Sequence, residues 1–116
     1  MGRGIFNVIL SDEAKNFILS QPKKVQDKIQ YNIVRVQNGE MSPELFKKLS
    51  DSEIWEFRTS YNGNAYRLFA FWDTEECALV IVTHGINKKV RKTPPKEIAK
   101  AEKIRLSYFK NKLTWK

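Results

Sequence analysis

The sequence predicts an α+β fold made of an N-terminal strand and helical hairpin, a three-stranded antiparallel β-meander and a C-terminal helix. Three observations carry that expectation. Val25, Ile29, Ile33 and Val36 recur at helical spacing and form one apolar stripe. Three segments rich in aromatic and β-branched residues follow between residues 54 and 83, parted by turn-forming residues. A proline-opened, lysine-rich segment with one apolar side comes last.

Taken in order, Ile5 to Leu10 reads as a short buried strand. Ser11 is a helix N-cap, with Asp12 and Glu13 in an acidic first turn, and the helix runs to about Ser20. Pro22 breaks it and opens a second helix that reaches Asn38-Gly39, where the glycine is a natural C-cap. Ser42-Pro43-Glu44 begins a short helical turn. Strands follow at Ile54 to Ser60, Ala65 to Trp72 and Ala78 to Thr83, with turns at Asn62-Gly63-Asn64 and Asp73-Thr74-Glu75. Thr93 caps the last helix, which extends to about Leu113. Ile98, Ala101, Tyr108 and Phe109 share one side of it, and Lys96, Lys100 and Lys103 line the other. The order β-α-α-β-β-β-α packs helices against a sheet.

With 116 residues, the chain is expected to form one domain over residues 1–116. Its 41% hydrophobic and 12% aromatic content excludes a disordered tail. No apolar run approaches the roughly 20 residues of a membrane span, and Met1-Gly2-Arg3-Gly4 leads into no apolar export signal. A soluble cytoplasmic protein with no membrane partner is expected. Cys77, the single cysteine, has no partner for an internal disulfide. It falls in a strand-like stretch, where it is expected to act as a small hydrophobe. One cysteine and one histidine supply too few ligands for a zinc site, so no metal or small-molecule cofactor is expected.

Charge is distributed unevenly. Residues 1–83 carry 10 Lys/Arg against 11 Asp/Glu, whereas residues 84–116 carry 11 against 2. A basic final third is the footprint of a polyanion binder, or else a solvated basic helix.

Two constellations could carry chemistry. Strand alternation puts Glu56 and Arg58 on one face with Trp55 and Phe57 on the other, and sets Arg67 with Phe69 and Phe71, opposite Tyr66 and Leu68. Arginines in mid-strand either knit the sheet through a glutamate or are kept for an anion, which two guanidiniums hold bidentately. The second constellation leaves the strand end as a loop, His84-Gly85-Ile86-Asn87-Lys88-Lys89 and then Arg91-Lys92-Thr93-Pro94, and enters the helix. Its lysines suit phosphate neutralisation or, if crowded, proton exchange. His84 is either a hydrogen-bonded strand-end residue or a base. No paired carboxylates, Ser/His/Asp set or Gly-rich phosphate loop is present.

The segments Ile54-Trp55-Glu56-Phe57-Arg58, Asn64-Ala65-Tyr66-Arg67-Leu68-Phe69, His84-Gly85-Ile86-Asn87-Lys88-Lys89, Lys92-Thr93-Pro94 and Glu97-Ile98 with Ala101 resemble the phage-derived, HigB-like branch of the RelE/ParE toxin superfamily. The resemblance covers about residues 45–109, and one departure is Ile86, where an aromatic is expected. It implies a RelE-like toxin of a type II toxin–antitoxin system, an mRNA interferase that cuts translated mRNA on the ribosome. Its metal-free mechanism uses the RNA's own 2′-hydroxyl as nucleophile.

Carried over by position, Arg67 stabilises the phosphate, Arg58 is a second cation, Lys88 and Lys89 are acids or phosphate ligands, and Glu56 or His84 is the base. Arg91, Lys92, Lys96 and Lys100 are expected along the RNA. The implied partners are mRNA, the ribosome and a cognate antitoxin of helix-turn-helix type. Two other readings use the same residues: a ParE-like inhibitor of DNA gyrase without chemistry of its own, and a non-catalytic nucleic-acid-binding module.

Overall fold

The computed structural model describes residues 5–89 and 92–112. Five strands form one mixed sheet. They are β1 (Asn7–Leu10), β2 (Phe46–Lys48), β3 (Trp55–Tyr61), β4 (Asn64–Trp72) and β5 (Leu79–Lys88), in the order β1-β5-β4-β3-β2. The helices are α1 (Asp12–Leu19), α2 (Lys23–Gln37) and α3 (Pro95–Lys110). α1 and α2 cover one face of the sheet and α3 crosses the other. The α+β class is as expected, but the meander is only the middle of a larger sheet.

Local chemistry accounts for most boundaries. The Ser11 hydroxyl accepts from Ala14 N–H and donates to Thr83 C=O, capping α1 and tying it to β5. α2 ends at Gly39, whose φ of 105° suits glycine. Gly39 N–H donates to Val36 C=O and Glu40 N–H to Arg35 C=O, the paired bonds of a Schellman ending. β3 and β4 meet through Asn62-Gly63, both at positive φ, the two-residue turn that matches strand twist.

Several expectations need correction. β1 is an edge strand with Asn7 and Ile9 exposed, and it pairs in parallel with β5; a local apolar run cannot reveal that partner. The helical turn expected at Ser42-Pro43-Glu44 is a single turn that feeds directly into β2, because Phe46 inserts into the core and pairs with Phe57. β5 begins at Leu79, since Ala78 adopts a φ of 54°.

β5 also continues five residues past Thr83, so His84 to Lys88 belong to a strand and not to a loop. Cys77 is exposed in the β4–β5 turn and is no core residue. Thr93 does not cap α3: Pro94 holds that position without a side-chain bond, and the Thr93 hydroxyl is engaged elsewhere. The expected helix end at Leu113, the Met1–Gly4 segment and Arg91 lie outside the described residues. No helix among the described residues is long and apolar enough to cross a membrane.

One irregularity positions the site. Opposite Phe69 and Ala70 the β5 register slips by a residue, pairing Phe69 with His84 and Ala70 with Val82. Thr83 is the extra residue, and its hydroxyl donates to Phe69 C=O. Before the bulge, Ile81 packs on the α3 side, so unbroken alternation would send His84, Ile86 and Lys88 to the α1 side. The bulge reverses this. His84 stacks on Phe69, and Ile86 joins the α3-side cluster.

Candidate functional site

On the α3 face, strand alternation projects Glu56 and Arg58 from β3 beside Arg67 from β4. Glu56 is 2% exposed and Arg67 6%, so both charges are withdrawn from water. Glu56 Oε1 lies 3.1 Å from Arg67 Nε and 3.5 Å from Arg58 Nε, while Oε2 accepts from Thr93 Oγ1 at 2.9 Å. Thr93 thereby ties the start of α3 to the cluster, which its sequence position alone did not suggest.

One carboxylate serves two guanidiniums, so the cluster keeps a surplus positive charge. Arg58 Nε and Arg67 Nε are buried and, among the described residues, neither has a hydrogen-bond partner of good geometry. The remaining bonds are to backbone: Arg67 Nη1 donates to Tyr66 C=O at 3.0 Å and Arg58 Nη1 to Pro43 C=O at 3.1 Å. Buried donors left open beside uncompensated charge suit an anion.

Glu56, Arg58 and Thr93 help to line a groove of about 540 Å³, together with Lys47, Lys88, Lys92, Leu49, Ile98, Ser50 and Asp51, and Arg67 lies behind Glu56 outside that lining. Burial, and then the charge of Arg67, hold the Lys88 ammonium below the ordinary lysine value. Burial, followed by the neighbouring Arg58, likewise lowers Arg67, against the pull of Glu56. Lys47 adds to the repulsion felt by Lys88. The sequence reading missed Lys47 because the stretch between Glu44 and Ile54 was assigned no strand.

The structure thus brings together Glu56, Arg58, Arg67, Lys88 and Lys92. His84 is separate from the groove: it is 1% exposed, with Nδ1 2.8 Å from Thr83 Oγ1 and Nε2 3.0 Å from Glu97 Oε1. Burial draws its pKa down, against the hydrogen bond that Nε2 makes to Glu97. Lys89 is exposed just past β5, and Lys96 is exposed on α3; neither lines the groove. Lys100 pairs with Glu13 of α1 at 2.5 Å. Among the described residues no three of His, Cys, Asp or Glu gather as metal ligands.

Comparison with known proteins places this geometry in context. The model of the family described as phage-derived protein Gp49-like (DUF891) matches residues 16–105, which include every residue of the groove. No curated protein matches the chain.

Proposed function

Because the chain belongs to the Gp49-like phage-derived family, part of the RelE/ParE-like toxin superfamily, we propose that it is a HigB-like toxin that cuts translated mRNA on the ribosome. The observation that carries this reading is the convergence of Glu56, Arg58 and Lys88 around one groove, with the buried Arg67 held against Glu56 behind it, where it lines the adjoining pocket.

In the proposed reaction the RNA 2′-oxygen attacks the adjacent phosphorus. The new 2′-O–P bond forms as the P–O5′ bond breaks, leaving a cyclic phosphate and a 5′-hydroxyl. Arg67 and Arg58 hold the non-bridging oxygens as charge builds on the phosphorane. Glu56 accepts the 2′-hydroxyl proton, since it lines the groove and His84 does not. Lys88 delivers a proton to O5′, a role suited to an ammonium whose pKa is lowered toward neutrality. Lys92 and Lys47 steer the strand in. His84 acts through Glu97, fixing α3 against the sheet. An antitoxin would silence the protein by covering the basic groove.

The test is expression without an antitoxin, with mRNA 5′ ends mapped by primer extension. Wild-type protein is expected to produce new in-frame cuts. A folded Arg67→Ala variant is expected to lose them by a factor on the order of 10²–10³. Undiminished cutting by that variant would remove Arg67 from the mechanism. DNA breaks with intact transcripts would move the function to gyrase.

A further inference from the structure

A second cationic pocket lies on the other side of Arg58. It has a volume of about 380 Å³ and is lined by Lys28, Asn32 and Arg35 of α2, Arg58 and Ser60 of β3, and Arg67 of β4, with Leu45 and Glu44 at its mouth. β2 stops pairing at Phe57, and the last bond to this edge is from Arg58 N–H to Leu45 C=O. By strand alternation the N–H of Ser60 points the same way, into an edge that no strand among the described residues covers. Ser60 itself is exposed.

The donors are unequally committed. Arg35 is held by both oxygens of Glu40 and by Asn32, and Asn32 in turn donates to Thr59. Lys28 makes no ion pair with any described residue. Arg67, more than nine-tenths buried, lines this pocket, and among the described residues its Nε and that of Arg58 have no hydrogen-bond partner. Tyr31, 60% exposed, lies one helical step away with Arg35 over its ring, offering an aromatic face beside the cations.

Arg58 lines both this pocket and the catalytic groove. A sugar–phosphate backbone that places one phosphate in the groove can therefore carry its neighbour across Arg58 without leaving positive surface. We propose that the α2–β3 pocket is a phosphate subsite for single-stranded RNA flanking the cut, with Lys28 and the Ser60 edge as its ligands. This inference rests on the RNA-cutting reading and extends its substrate track beyond the groove.

The probe is a short, fluorescently labelled 2′-O-methyl RNA, which lacks the attacking hydroxyl. Its affinity is measured against salt concentration. Lys28→Ala is expected to reduce the slope of log affinity against log salt by about one. Lys24→Ala removes the same charge from an exposed position of the same helix outside the pocket, and is expected to leave the slope near the wild-type value.

Equal slopes for the two variants would overturn the subsite. If Lys92→Ala then still lowers the slope and cutting still requires Arg67, the nuclease reading stands and only the pocket falls. No binding by wild-type protein at any salt would overturn both. A duplex of the same sequence that binds as tightly as the single strand would overturn the single-strand assignment.

Discussion

The two faces of the sheet are built from the same strands yet differ in kind. The α1/α2 face is a mainly apolar layer in which Phe6, Ile29, Phe46, Phe57, Leu68 and Val82 pack, with the buried Asn32–Thr59 hydrogen bond as its polar intrusion. The α3 face interleaves a smaller apolar cluster with three buried polar assemblies: Glu56 with two arginines, His84 with Thr83 and Glu97, and Asp73 with Tyr108 and Lys112. Two helices close the first face, whereas one helix covers part of the second and leaves a charged groove open. Apolar packing is concentrated on one side of the sheet and buried charge on the other.

That contrast can be broken most forcefully at Glu56. Glu56→Ala strands two guanidiniums, one of them buried, and is expected to cost about 3–5 kcal/mol in urea unfolding. A result within the noise of the measurement would mean that the cluster is solvated and not a buried ion assembly.

Gly85 tests the apolar face. A Cβ there would sit 2.4 Å from Phe17 Cδ2 and 2.6 Å from Leu68 Cδ2. Gly85→Ala is expected to destabilise by about 1–3 kcal/mol, read as a lowered Tm. An unchanged Tm would show that α1 can shift away from the sheet.

The Asp73 assembly gives the contrast a pH signature. The fully buried carboxylate accepts from Tyr108 at 2.5 Å, from Lys112, and from the N–H groups of Glu75 and Glu76, which lowers its pKa from 3.8 to about 2 against the opposing effect of burial. A depressed carboxylate pKa means the contribution is complete above about pH 4 and disappears as pH falls through 2. Acid titration of stability should show that loss in wild-type protein, and Asp73→Asn should flatten it. Identical curves would place the acid transition elsewhere.

The smallest stability effect is also the sharpest test. Replacing Glu56 and Arg67 together by Leu and Met should change stability by no more than about 1 kcal/mol, or raise it, while abolishing cutting. A large loss of stability would mean that the ion cluster holds the sheet together as well as serving the groove.

Much of this was legible in the sequence wherever the pattern is local. The helical hairpin follows from the α2 stripe, the Asn62-Gly63 turn from its two residues, and the shared face of Glu56, Arg58 and Arg67 from simple alternation. What was not legible depends on partners distant in the chain. Nothing in Asn7–Leu10 names β5 as its neighbour, and nothing in Phe46-Lys47-Lys48 shows that Phe57 will draw it into the sheet. The bulge escaped for the same reason: it is a mismatch between two strands and has no signature in either alone. His84 and Lys88 were therefore expected in a loop, whereas both lie in β5, Lys88 lining the groove and His84 apart from it.

The bulge has one more consequence. Because a single inserted residue sets the parity of everything after it, β5 is two strands in series with opposite phase. Residues before Thr83 answer to the rules of the core, and those after it to the rules of the site. Substitutions downstream of Thr83 can thus vary the chemistry while the frame upstream stays fixed. A one-residue insertion or deletion at that point would exchange the two faces and lose both at once.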